Sequence, residues 1–198
     1  MQSMTWSGSS TRPNYGPAVR VVAGRARGLR LEAPPGSSTR PTADRVREAT
    51  FNALGSLGVV QGAVVLDLFA GSGALGIEAL SRGAASVTFV EHDAKAIAVL
   101  RRNLDATGLA AAATVVRGDA VRFAGGRVDL ALLDPPYAFA DEAWDRLLAD
   151  LDADVAVLES DRDVPVPAPW RVLRAKRYGG TVVAIVRRSP AQTSERSP

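Results

Sequence analysis

From Gly62 onward, short apolar runs alternate with stretches of helical periodicity, and few architectures accommodate that pattern. Val64 to Phe69, Ser86 to Glu91, Ala113 to Arg117, Val128 to Asp134 and Asp154 to Glu159 are short runs rich in Val, Leu and Phe. They predict strands, and their near-continuous apolar character suits a parallel sheet covered on both faces. Between them, Ala74 to Arg82 predicts a helix ended by Gly83. Asp93 predicts the cap of a helix through Thr107, with Ile97, Leu100 and Leu104 on one face and Gly108 as its C-cap. Asp141 and Glu142 fall in the first turn of another helix, where its dipole favours acids. Val172 to Tyr178 and Thr181 to Arg188, joined by Gly179-Gly180, predict an antiparallel hairpin. The expected class is α/β, a mostly parallel sheet with right-handed crossovers.

The run from Val128 ends in Asp134-Pro135-Pro136-Tyr137. Two prolines cannot continue a central strand, so Asp134 belongs at its carboxyl end, where the chain turns out into a loop. Open α/β sheets bind ligands at that end. A carboxylate there accepts hydrogen bonds from an amino group, and an aromatic ring stacks on a flat one. Together they suit a nucleobase drawn out of its stack. Phe139 is expected to line the same pocket.

The first strand leads into Asp67-Leu-Phe69-Ala-Gly71-Ser-Gly73-Ala-Leu-Gly76, a Gly-x-Gly-x-x-Gly turn before a helix. Glu91 closes the second strand, where an acceptor for ribose hydroxyls belongs. Taken alone these features suit NAD, but Asp67 argues against a pyrophosphate, which needs the positive helix terminus free of nearby anions. A carboxylate there instead welcomes a sulfonium or an ammonium, and S-adenosylmethionine carries both without a phosphate. After the third strand, Asp119 could accept from an adenine amino group while the neighbouring backbone at Ala120 serves a ring nitrogen. Asp67, Glu91 and Asp119 are thus expected to form one row along the sheet edge. His92, the single histidine, is expected at the pocket rim against the adenosine, and no Ser and Asp are placed to make it a triad.

Charge separates the N-terminal region from this body. Between Arg12 and Arg47 stand eight arginines against Glu32 and Asp44, a local charge of +6 in a chain of +3 overall, which leaves −3 for the remainder. A basic arm on a mildly acidic body is the footprint of nucleic-acid binding. Val19 to Leu31 predicts a hairpin with arginines at its tip and edges, followed by a Pro/Gly/Ser linker and a helix opening at Asp44 and closed by Gly55 or Gly58. Arg20, Arg25, Arg27, Arg30, Arg40, Arg45 and Arg47 are the candidate phosphate contacts. The absence of cysteine excludes disulfides and thiolate sites, and one histidine excludes a multi-histidine metal centre, so no metal is expected. No apolar run reaches the roughly 18 residues of a membrane span. With no signal-peptide pattern either, a soluble cytoplasmic protein is expected.

These motifs resemble a known family. Asp67 to Gly73 and Asp134 to Tyr137 look like class I S-adenosylmethionine-dependent methyltransferases acting on exocyclic amino groups. Val21-Val22-Ala23-Gly24, Arg27-Gly28, Arg40-Pro41-Thr42-x-Asp44-Arg45-Val46-Arg47-Glu48 and Phe51-Asn52 narrow the resemblance to the RsmD family. It runs from about Val19 to Arg188, and the arginine-rich signature separates it from adenine-N6 DNA methyltransferases, which share Asp-Pro-Pro-Tyr. The resemblance implies a Rossmann-like seven-stranded sheet with its last strand antiparallel, plus an N-terminal β-hairpin extension that grips RNA. It divides the chain into a disordered tail (1–18), basic hairpin and linker (19–43), methyltransferase domain (44–188) and a second tail (189–198). It further implies methylation of guanine N2 in 16S rRNA, in the 30S subunit, by a monomer.

Overall fold

The structure is a computed structural model that describes residues 19–34, 41–123, 125–136 and 139–189, with 41–43 described as backbone only. Tyr137, Arg40 and the predicted tails, apart from Ser189, lie outside the described residues. Two strands, β1 (Val19–Arg20) and β2 (Arg30–Leu31), pair antiparallel and precede helix α1 (Pro41–Ser56). Then follow β3 (Val64–Leu68), α2 (Ala74–Ser81), β4 (Ser86–Glu91), α3 (Ala94–Thr107) and β5 (Ala113–Arg117). The chain continues through β6 (Val128–Leu133), α4 (Asp141–Asp150), β7 (Ala153–Ser160), β8 (Trp170–Tyr178) and β9 (Thr181–Arg188). The main sheet has the order β5-β4-β3-β6-β7-β9-β8. The strands from β3 to β7 are mutually parallel, and β9, the last in chain order, runs antiparallel to both its neighbours. This is the expected seven-stranded class I methyltransferase sheet.

Successive strand residues feed opposite cores, as a pleated strand buried on both faces requires. On β3, Val65 packs with Phe51, Leu54, Ile77 and Leu80 on the side of α1 and α2. Its neighbour Leu66 packs with Leu133, Trp144 and Leu148 on the side of α4. Asp93 caps α3 as predicted, its side chain accepting from the N–H groups of Lys95 and Ala96, and Gly108 ends that helix in the left-handed conformation. Helix α1 departs from expectation at its start: it begins at Pro41, whose fixed φ suits a first helical turn, rather than at Asp44. It runs through Gly55 to Ser56, and Gly58 (φ 70°), one of the two glycines expected to close it, makes the turn. Among the described residues, no helix is long and apolar enough to cross a membrane.

The N-terminal arm is built into the body. Val21, Ala26 and Leu31 enter the core beside α1 and α2. The backbone N–H groups of Val22 and Ala23 donate to Glu78 at 2.8 and 3.1 Å, and those of Arg25 and Ala26 donate to the carbonyl and Oγ of Ser81. Gly24 makes this contact possible. At φ 83° it lies so close to α2 that a Cβ would fall 1.8 Å from the Ser81 carbonyl oxygen. Gly24→Ala is therefore expected to lift the arm from α2, seen as rapid tryptic cleavage at Arg25 and Arg27 while the body still melts cooperatively. Unchanged protease resistance would show that the arm is held elsewhere.

Candidate functional site

The sheet register sets up the site. Leu68 pairs with Val90 and Leu133, and Leu133 pairs with Leu158. The residues that follow, Glu91, Phe69, Asp134 and Glu159, therefore stand in one row across four neighbouring strand ends. The row opens into a cleft of ≈ 560 Å³, within the range of small-molecule sites. Gly71 and His92 line its β4 side, Pro135, Pro136 and Phe139 its centre, and Gly179 and Gly180 its far wall. Val19, Ala33 and Pro34 bring the arm to the mouth.

Glu91 is buried and organises the glycine turn. Its Oε2 accepts from the Gly71 N–H at 2.9 Å, and its Oε1 accepts from the N–H groups of His92 and Asp93, each at 2.8 Å. The His92 ring is exposed at the rim, with Nδ1 3.1 Å from Glu91. Phe69 carries a positive φ of 62°, a conformation that costs a non-glycine residue about 1–3 kcal/mol and gathers at functional sites. Its ring meets that of Phe139 edge-on at 5.4 Å, and Phe139 meets Trp144 at 5.2 Å.

Asp67 lies one layer deeper than expected. The register puts it two residues before the row, only 1% exposed, and it does not line the cleft. Its Oδ2 accepts from the Gly76 N–H at 2.9 Å, while Oδ1 is buried without a partner among the described residues. Burial, with Asp134 and Glu91 nearby, raises its pKa well above the usual carboxylate range. The expected row of Asp67, Glu91 and Asp119 is corrected accordingly. Gly73 starts α2 in the left-handed conformation. Asp119 is half-exposed beyond β5, where its Oδ1 caps its own turn at the Val121 N–H, and Ala120 is buried beside it.

Asp134 lines the cleft with part of its surface open to solvent, and the protein around it desolvates the carboxyl and pushes it up to about 6. Glu159 beside it is pushed up to about 8, first by desolvation and then by the Asp134 charge, against a lowering by Arg47. Glu159 was missed in the sequence, although Asp154 to Glu159 repeats the signal that marked Asp134: an apolar run ending in a carboxylate. Arg162 was missed as well. It donates to the Phe139 carbonyl at 2.5 Å and to Asp141 at 2.6 Å, tying the loop after Pro136 to the start of α4.

The arginines separate into two groups. Arg25, Arg27, Arg30 and Arg45 are exposed and make no ion pair among the described residues, and exposed Arg20 donates to the Gly28 carbonyl. Arg47 is corrected: at 5% exposure it cannot present its charge to an external phosphate. It donates to Asp44 at 3.0 Å and to the Arg20 carbonyl, with Nε 3.8 Å from Glu78. Glu78, fully buried, also accepts from Arg82 at 2.7 Å. Asn103, 1% exposed, joins the segment after the arm to the glycine turn: its amide donates to the carbonyls of Glu32 and Ser72 and accepts from the Glu32 N–H. Nothing in the local sequence marks Glu78 or Asn103, because a polar residue on a buried helix face is recognisable only once its partner is known.

Comparison with known proteins extends these observations over the whole fold. The family described as "Conserved hypothetical protein 95" matches residues 19–187. YlbH of Bacillus subtilis is 40% identical over 186 residues, 86% of this chain and 99% of its own. "Ribosomal RNA small subunit methyltransferase D" of Escherichia coli K12 is 36% identical over 200 residues, 93% of this chain and 98% of its own. The solved structure of yhhF from Escherichia coli, 38% identical, superposes with a TM-score of 0.75 over 87% of this chain and 98% of its own.

Proposed function

The chain belongs to this family, the RsmD family, and from that premise we propose that it is an rRNA methyltransferase. In this proposal it transfers a methyl group from S-adenosylmethionine to the exocyclic N2 of a guanine in 16S rRNA, in assembled or assembling 30S subunits. It acts as a monomer without a metal. The observation that carries the proposal is the row Glu91, Phe69, Asp134 and Glu159 at four adjacent strand ends, opening into one cleft. The names of relatives as rRNA methyltransferases support it.

The residues fit S-adenosylmethionine. Glu91 and the glycine turn would receive its ribose and His92 its adenosine, while the acids of the cleft favour a cation. The cofactor supplies a methyl group on a positively charged sulfur. Asp134 and the Pro135 carbonyl accept the two amino hydrogens of the base and turn the nitrogen lone pair toward the donor. The work of the protein is alignment and exclusion of water, since guanine N2 is a poor nucleophile whose lone pair is spread into the ring. The nitrogen that gains the methyl sheds one proton, and ionised Asp134 is the adjacent acceptor. Phe139 walls the base pocket, and Tyr137 stacks on the base.

Labelled-methyl transfer to naked rRNA, to 30S-type subunits and to DNA, followed by nucleoside analysis, tests the substrate and the atom together. N2-methylguanine in RNA is expected. N6-methyladenine would favour the other amino-methylating class, and transfer to none would leave a binding module. Replacing Arg25 and Arg27 is expected to weaken RNA binding and flatten its salt dependence by about one unit of slope per lost phosphate contact. An unchanged slope would remove the arm from the interface.

A further inference from the structure

Glu159 lines the cleft next to the amino-holding carboxylate, yet the reaction as written does not use it. It follows Leu158 as Asp134 follows its partner Leu133, so the two acids share a register on adjacent parallel strands, whose backbones lie about 4.8 Å apart. Both line the same cavity, with Asp134 on the side nearer the glycine turn. A purine held by its amino group on Asp134 can therefore reach Glu159 with the rest of its Watson–Crick edge.

We propose that Glu159 reads that remaining edge, its carboxyl donating to guanine O6 and accepting from N1–H while Asp134 accepts from N2–H. This rests on the guanine-N2 reading and adds a specificity-determining residue to it. Protonation is what suits Glu159 to the task. An ionised carboxylate only accepts, whereas the acid form presents one donor beside one acceptor. Two carboxylates this close do not both ionise readily. Burial raises both carboxyls, and the Asp134 charge raises Glu159 further, which favours the proton on Glu159 and the charge on Asp134. Guanine then meets an acceptor, an acceptor and a donor with its own donor, donor and acceptor. Adenine held by its amino group would offer Glu159 one ring nitrogen and a C–H, one hydrogen bond fewer. Arg47 from α1 also acts on Glu159, and the other charged or titratable groups lining the cleft are Glu91, His92, Asp161, Arg162 and Tyr178.

The test compares the full-length wild type with Glu159→Leu and Glu159→Gln, using 30S-type subunits and labelled S-adenosylmethionine. Glu159→Leu is expected to lower kcat/KM about 10- to 100-fold, the usual worth of a paired base-edge contact, with cofactor affinity by calorimetry held within twofold. Glu159→Gln presents the same donor and acceptor as the protonated acid and is expected to recover to within about fivefold of wild type. Wild-type rates should fall as pH rises through about 8, where Glu159 loses its proton, and Glu159→Gln should lack that fall. Glu159→Leu at wild-type rate, or Glu159→Gln as impaired as Glu159→Leu, would overturn the assignment while label stays on guanine. Wild-type label on adenine would overturn the guanine reading itself, and this assignment with it. The pH comparison needs only the isosteric Gln variant, so it decides the matter even if leucine unfolds the protein.

Discussion

Asp134→Ala is expected to reduce kcat about 10³-fold, the scale of loss when a positioned group in direct contact with the reacting atom is removed. Affinity for S-adenosylmethionine should stay within a few-fold, because the contacts expected for the cofactor lie on Glu91, His92 and the glycine turn. The mechanism also dictates a pH dependence. Desolvation raises Asp134 to about 6, so its carboxylate is lost as pH falls through that value, and with it the acceptor for the amino hydrogens. Single-turnover rates should climb through pH 6 in the wild type and show no such climb in the alanine variant. If calorimetry instead shows that Asp134→Ala no longer binds the cofactor, Asp134 belongs to the cofactor pocket and its place at the base is wrong.

The second large effect lies outside the cleft. Glu78→Gln should destabilise the protein by about 3–5 kcal/mol, the cost of breaking a buried ion pair from one side. The carboxylate is fully buried, its two oxygens take the N–H groups of Val22 and Ala23, and it balances Arg82 and Arg47. The amide keeps the shape but offers one acceptor oxygen where two are used, and it leaves Arg82 without its counter-charge and Arg47 with Asp44 alone. Urea denaturation measures the loss directly, as a lower midpoint at unchanged slope. A change below about 1 kcal/mol would mean that the apolar contacts of Val21, Ala26 and Leu31 dock the arm by themselves.

How much of this was legible in the sequence depended on whether a residue announces itself locally. Strands such as Val64–Leu68 and Val128–Leu133 are apolar runs bounded by turn residues, so both class and order could be read from them. Asp134 could be placed because two prolines end its strand. Depth could not be read. Asp67 and Glu91 both follow apolar residues, but only the pairing of β3 with β4 and β6 shows that Asp67 sits a layer below the row. Arg47 misled for a related reason: an arginine among arginines resembles a surface charge until Glu78, 31 positions further on, is seen to face it. A two-stranded hairpin such as 19–31 is marginal alone, and it gains its footing from Ser81 and Glu78, which no local pattern links to it.

The position of β9 has a consequence for how such a chain is made. It is the last strand in chain order but occupies an inner place, between β7 and β8. As the polypeptide leaves the ribosome, β7 presents a bare edge, and β8 has nothing to pair with until β9 is synthesised. The sheet is therefore completed late and from within, through contacts that span the turn at Gly179 and reach back to β7. Until then the nascent protein carries an apolar, hydrogen-bond-hungry edge of the kind that invites aggregation. A damaged β9 would therefore show as chaperone dependence during synthesis as well as in lower stability once folded, since Val183, Ile185 and Val186 are buried in the two cores.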